Sequence, residues 1–188
     1  MKSLTNYINE KLIINKDYSE VKIFVNSFDE LRKTIEDRYD KFGEGTEQNP
    51  IDFNDIDVSN IDSFYNKHKG IFEGTKFKYS DISDWDVSNA KSMRAMFFKC
   101  SKLKSVGDIS KWDVSKVTYM NCMFYNCVSF NQDISCWDVS NVTDMSHMFF
   151  GCKSFNQDLS DWDVSNVRNH LSMLDYCPIK EKYKPKFK

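Results

Sequence analysis

The sequence predicts an α/β repeat solenoid, in which copies of one short unit stack on each other. The tetrad Trp-Asp-Val-Ser occurs four times, at intervals of 27, 25 and 25 residues, beginning at Trp85, Trp112, Trp137 and Trp162. Seven of the eight Met residues and four of the six Cys residues also recur at fixed distances from these tryptophans. A constant period of this size is typical of proteins in which each repeat contacts only its neighbours.

The third copy shows what one repeat contains. Four apolar residues stand at i, i+3, i+4 and i+7, namely Met145, Met148, Phe149 and Cys152. This spacing predicts a short helical segment with one apolar face. Val139 lies between two polar residues, an alternation that is typical of a half-buried strand. We therefore expect each repeat to consist of a short strand, a turn, a helical turn and a return segment.

The chain is expected to divide into three parts: residues 1–49, about five repeats over residues 50–177, and a basic tail over residues 178–188. In the first part, Leu4 to Leu12 predicts a short amphipathic helix and Val21–Val25 a strand. Ser27 and Glu30 form a capping box for a second helix that runs to about Phe42. This α/β element is expected to cap the first repeat, or alternatively to act as a docking or packaging segment. The lysine-rich tail is expected to be a solvated end, or alternatively to fold back on the acidic remainder of the chain by electrostatic attraction.

The segment from Phe130 to Cys152, FNQDISCWDVSNVTDMSHMFFGC, resembles the repeat of a known family. This is the DUF285-type family of bacterial surface protein repeats of about 25 residues, which is related to BspA-like leucine-rich repeats. The resemblance covers about residues 50–177. It implies a leucine-rich-repeat-like, right-handed coil with short parallel strands and a role in binding other macromolecules, often at a cell surface. It implies no catalytic residue.

The composition narrows the class of protein. A net charge of −2 gives no nucleic-acid signature, and 40% hydrophobic residues exclude a disordered chain. Because the longest apolar stretches are short, we expect neither a membrane span nor a secretory leader. These features favour a cytoplasmic protein with free thiols, with a virion or a cell surface as the alternative location.

Two sets of residues invite a metal or cofactor hypothesis. An aspartate follows each tryptophan, and we expect each one to accept backbone N–H groups in the adjoining turn instead of binding calcium. The recurring cysteines are expected to be small buried apolar residues, because no Cys-x-x-Cys pair is present. The sequence therefore predicts no metal site, no cofactor and no catalytic residue.

The expected interaction surface consists of exposed residues on either side of each tryptophan. Its members are Asp84, Asp86, Lys111, Asp113, Cys136, Asp138, Asp161 and Asp163. The position before the tryptophan varies from repeat to repeat, as a recognition surface would. We predict a non-enzymatic module that binds a protein partner and no nucleic acid. The alternatives are a structural or packaged virion protein of a gut bacteriophage and a bacterial surface adhesin.

Overall fold

The computed structural model describes residues 22–66 and 69–187. The first elements are a short strand, β1 (Ile23–Phe24), and a helix, α1 (Phe28–Phe42). The hydroxyl of Ser27 accepts the backbone N–H of Glu30 at 3.2 Å, which confirms the helix start predicted from the capping box. The helix expected from Leu4 to Leu12 lies outside the described residues.

Helix α1 packs against the part of the chain that follows it. Leu31 and Ile35 are completely buried, and the ring of Tyr39 meets that of Phe77 edge to face at 5.1 Å. Strand β1 pairs in parallel with β3 (Ile56–Asp57). The N-terminal segment is therefore held both by side-chain packing and by backbone hydrogen bonds.

The remaining strands are also two residues long. Strand β2 (Ile51–Asp52) pairs in parallel with β6 (Ser80–Asp81), and β4 (Tyr65–Asn66) pairs antiparallel with β5 (Lys69–Gly70). One 3-10 helix spans Glu181–Tyr183. In addition, isolated parallel bridges join one residue of each repeat to the next, in the order Ser63, Ser92, Tyr119, Asp144 and Asn169.

Around these bridges, alternate backbone N–H groups donate to the following repeat. After the second tetrad, four backbone N–H groups donate to the next repeat, at N···O distances of 2.7–3.0 Å. The donors are Met120, Cys122, Phe124 and Asn126, and the acceptors are, in the same order, the carbonyls of Asp144, Ser146, Met148 and Phe150. The residues between them bond locally instead, as Met123 does to the carbonyl of Met120. The same arrangement recurs in the next repeat. Consecutive repeats are thus joined in parallel by a backbone ladder.

We call the four segments with the i, i+3, i+4, i+7 spacing the Met segments (residues 93–100, 120–127, 145–152 and 170–177). They differ from the expected helical turns. They are runs of turns with local bonds to the third preceding residue. The third residue of each run has positive φ, between 51° and 59°, and this holds for Ala95, Cys122, His147 and Ser172. A left-handed residue interrupts an α-helix, since it redirects the chain after each turn. No strand forms around Val139 either, because the pairing lies later in the repeat.

The core consists of side chains that recur in register. Phe72, Phe97, Phe124 and Phe149 stack in order, with ring centroids 5.2, 5.3 and 5.6 Å apart. The methionines at Met93, Met120 and Met145 are completely buried. Near-parallel rings at this spacing give offset stacking in addition to the burial of apolar area. Each repeat therefore completes the core of its neighbour.

The C-terminal tail packs on the last repeat instead of extending into solvent. Ile179 is 6% exposed, and the carbonyl of Tyr183 accepts the backbone N–H of Leu159 at 2.8 Å. Phe187 stacks on His170 with ring centroids 4.1 Å apart. The lysines alternate with apolar residues that bury, which explains why charge alone did not predict this packing.

Candidate functional site

The four tryptophans occupy equivalent positions. Each indole Nε1–H donates to a carbonyl of the preceding repeat, at 2.9–3.3 Å, in the pairs Trp85 to Phe53, Trp112 to Ile82, Trp137 to Ile109 and Trp162 to Ile134. All four side chains are at most 5% exposed. A buried indole needs such an acceptor, since an unpaired N–H in the core is costly. The tryptophans therefore set the register between repeats.

Residues on either side of each tryptophan point away from the core. All eight members of the predicted interaction surface are exposed: Asp84, Asp86, Lys111, Asp113, Cys136, Asp138, Asp161 and Asp163. We call this set the Trp-flanking surface. Because the indole between them is anchored, the main chain that carries these side chains is held in a defined position.

Contacts between repeats make the Trp-flanking surface continuous. The thiol of Cys136 donates to the carbonyl of Ser110 at 3.0 Å, and the backbone N–H of Asp84 donates to Oδ1 of Asn54 at 2.9 Å. Lys111 Nζ lies 3.9 Å from Asp108 Oδ2, an exposed pair that contributes little stability. The surface thus carries both signs of charge along adjoining repeats.

The aspartate after each tryptophan accepts a hydrogen bond in its own turn, as predicted. Oδ1 of Asp86, Asp113, Asp138 and Asp163 accepts the backbone N–H two residues later, at 3.0 Å in each case. The hydroxyl of Ser115 also donates to Asp113 at 2.6 Å. This side-chain bond, followed by the backbone bond, lowers the pKa of Asp113. A carboxylate held ionised suits a charged recognition surface better than proton transfer.

Asparagines beside this surface join the repeats further. Nδ2 of Asn89, Asn141 and Asn166 donates to a serine carbonyl of the preceding repeat at 2.8–3.1 Å. These bonds lie at the turn after the first, third and fourth tetrads, where a backbone ladder is absent. They replace it with side-chain bonds and so limit movement of the Trp-flanking surface.

Three of the four recurring cysteines are buried thiols, and the fourth, Cys177, is half-buried. Cys100, Cys127 and Cys152 each donate to a phenylalanine carbonyl of the preceding repeat at 2.9 Å. Desolvation raises the pKa of Cys100 to about 12 and that of Cys127 well above its ordinary value. This confirms that they behave as small buried residues. Across residues 22–66 and 69–187, no group of three His, Cys, Asp or Glu side chains is arranged to hold a metal ion.

Two features were missed in the sequence. A second column of aromatic rings lies beside the core, where Tyr125 stacks between Phe98 and Phe150 with centroids 4.8 Å from each. The signal for it was the pair of adjacent aromatic residues in each of the first three Met segments, such as Phe124 and Tyr125. The second feature is a groove of about 690 Å³ between the last repeat and the tail, lined in part by Ser172 and Phe187. The regular spacing of Ile179, Tyr183 and Phe187 was its signal.

The described part of the chain contains no helix that is both long and apolar enough to cross a membrane. No curated protein and no solved structure shows significant similarity to the chain. A family profile described as "Mycoplasma protein of unknown function, DUF285" matches residues 66–184. The match covers more than half of the chain and includes the four Trp-Asp-Val-Ser tetrads and most of the tail. The chain therefore belongs to the DUF285 family, as the repeat sequence predicted.

Proposed function

We propose that this chain is a non-enzymatic solenoid that binds a protein partner through the Trp-flanking surface. The observation that carries the proposal is the equivalent anchoring of the four tryptophans, each to the preceding repeat. Repeat proteins of this kind use rigid, extended surfaces for recognition, and variable residues on a constant frame supply specificity.

The proposed solenoid is leucine-rich-repeat-like, with one tryptophan-to-tryptophan interval per coil. The parallel bridges from Ser63 to Asn169 support it, because each bridge joins residues one repeat apart. The stacked phenylalanines support it as well, since their order follows the order of the repeats. Right-handed winding is the expected hand for such coils.

On the proposed surface, the charge of the residue before the tryptophan differs from repeat to repeat. The position before the tryptophan is Asp84, Lys111, Cys136 and then Asp161. These side chains do not form the tetrad turns, which use the aspartate after the tryptophan. Their charge can therefore differ without a cost to the fold. A partner of complementary charge pattern would be selected by attraction in register and repulsion out of register.

A charge-reversal variant tests the proposal. In the surface variant, Asp84→Lys, Lys111→Glu and Asp161→Lys change the three charged positions. The matched control carries Asp40→Lys, Glu47→Lys and Lys104→Glu, which are exposed residues elsewhere and give the same change in net charge. Each immobilised protein is exposed to extract of the source organism, and captured proteins are purified and titrated directly against all three chains.

The expected result is at least one protein bound by the wild type and the control, and bound at least about tenfold more weakly by the surface variant, as the loss of close charge pairs predicts. Equal affinity for all three chains would contradict the proposed surface. Absence of any bound protein would contradict the proposed function.

A further inference from the structure

The backbone ladder is closed at its first end. The guanidinium of Arg32, on α1, donates to the carbonyls of Ile71 at 2.7 Å and Glu73 at 3.3 Å. These two carbonyls correspond to those of Met96 and Phe98 in the next repeat, which accept from Phe72 and Gly74. Arg32 therefore takes the place of a preceding repeat. Its side chain is only 13% exposed.

The last end of the ladder is open. By the alternation of the earlier repeats, the donors of the last one are the backbone N–H groups of His170, Ser172, Leu174 and Tyr176. None of the four has an acceptor among the described residues. In the preceding repeat, the equivalent N–H groups are those of Met145, His147, Phe149 and Gly151, and all four donate to carbonyls of the last repeat. A row of unpaired donors at alternate residues is what an added strand requires.

The open end borders the groove under the C-terminal tail. His170, Ser172 and Leu174 form one side of it, and the tail forms the other. The charged groups that line it are Asp175, Glu181, Lys182, Lys184 and Lys186. Lys184 is paired with Glu181 at 2.6 Å, which leaves two lysines against one carboxylate. Backbone N–H groups and lysines together favour an occupant that brings oxygen acceptors and negative charge.

We propose that this groove binds an extended acidic peptide segment of a partner protein, which adds to the last repeat as a parallel strand. Its carbonyls accept from His170, Ser172, Leu174 and Tyr176, and its carboxylates lie near Lys182 and Lys186. A second copy of this chain does not supply those acceptors, since Arg32 and α1 cover the matching carbonyls of its first end. Two last repeats facing each other would oppose donor to donor.

This site is separate from the Trp-flanking surface, and its test does not depend on that surface. The full chain, labelled with ¹⁵N, is titrated with the blocked octapeptide acetyl-(Glu-Thr)₄-amide and, as a matched probe, with acetyl-(Lys-Thr)₄-amide. Hydrogen exchange is followed at residues 170, 172, 174 and 176. A double variant with Lys182→Glu and Lys186→Glu is compared with a control carrying Lys104→Glu and Lys153→Glu at exposed sites elsewhere.

The expected result is saturable binding of the acidic peptide, with exchange at the four amides slowed about tenfold when nine-tenths of the sites are filled. The basic peptide gives no protection, the tail variant binds more weakly, and both the control and the variant of the Trp-flanking surface bind normally. Equal protection by both peptides, binding without protection of these amides, or no binding at millimolar peptide would overturn the proposal. Protection that rises with protein concentration alone would assign the edge to a second copy and overturn it too.

Discussion

In each of the four tetrad repeats, the indole Nε1–H contributes one directed hydrogen bond to the repeat before it. Trp137 is 3% exposed and donates to the carbonyl of Ile109 at 2.9 Å. The same carbonyl also accepts the backbone N–H of Trp112 at 3.2 Å, so the indole links it to the next repeat. The tetrad recurs because the indole combines a large apolar surface with one directed hydrogen bond.

Replacement of this indole tests its role. Trp137→Phe should lower the free energy of unfolding by at least about 0.5–1.5 kcal/mol, because the Ile109 carbonyl loses the indole donor and keeps only the backbone N–H of Trp112. Urea denaturation measures the change, and Lys111→Ala, an exposed site nearby, is the control. An unfolding midpoint unchanged within error would show that the indole bond does not hold the register.

Thiol reactivity is a second property set at the level of single residues. Cys136 is exposed, whereas Cys100 and Cys127 are completely buried and burial raises the pKa of both thiols. Burial limits the access of a reagent to both thiols, and a raised pKa leaves less thiolate at neutral pH. Both thiols should therefore react slowly.

We expect a disulfide reagent such as DTNB at pH 8 to label Cys136 first in the native protein. Cys100 and Cys127 should be labelled only upon unfolding, as peptide mapping after timed quenching will show. In Cys136→Ser the fast phase should disappear. Fast labelling of Cys100 or Cys127 in the native state would contradict the buried position of these cysteines.

At the level of elements, the sequence predicted α1 well and the Met segments poorly. Ser27 and Glu30 mark a helix start by a local hydrogen bond, which any chain with that pair can form. The Met segments have the spacing of a helical face, but successive turns with a left-handed residue such as Cys122 place the same four residues inward. The spacing of apolar residues shows which residues face the core. It does not distinguish an α-helix from successive turns, because both place the same residues inward.

The exposure of the Trp-flanking surface was predictable for a different reason. Positions that flank a buried tryptophan in an alternating pattern must face outward, and all eight do. The open edge at the last repeat was not predictable. It follows from the direction of the cross-repeat bonds, which depends on backbone geometry and not on side-chain type.

The capping role of Arg32, on α1, can be tested by substitution. Arg32→Met keeps most of the side-chain volume but removes the donors to Ile71 and Glu73. We expect a loss of at least about 1.5–3 kcal/mol, the range for a hydrogen bond with a charged donor. Thermal and urea unfolding measure it. Lys33→Met, on the exposed side of the same helix, is the control, and an equal effect of both changes would contradict the capping role.

At the scale of the whole molecule, the repeats are joined in sequence by a parallel backbone ladder. The first end of that ladder is closed by a guanidinium, and the N–H groups at its last end have no acceptor within residues 22–66 and 69–187. A molecule with this polarity cannot extend itself by head-to-tail stacking unless α1 is displaced. The two sites proposed for protein partners, the groove beside the last repeat and the Trp-flanking surface, therefore lie on separate parts of the molecule.

The most direct test is a measurement of scalar couplings across the hydrogen bonds in deuterated protein labelled with ¹⁵N and ¹³C. We expect correlations from the amide nitrogens of Met120, Cys122 and Phe124 to the carbonyl carbons of Asp144, Ser146 and Met148, respectively. Correlations from these amides to the carbonyls four residues earlier would instead show helices in the Met segments and would contradict the ladder on which the proposed solenoid depends.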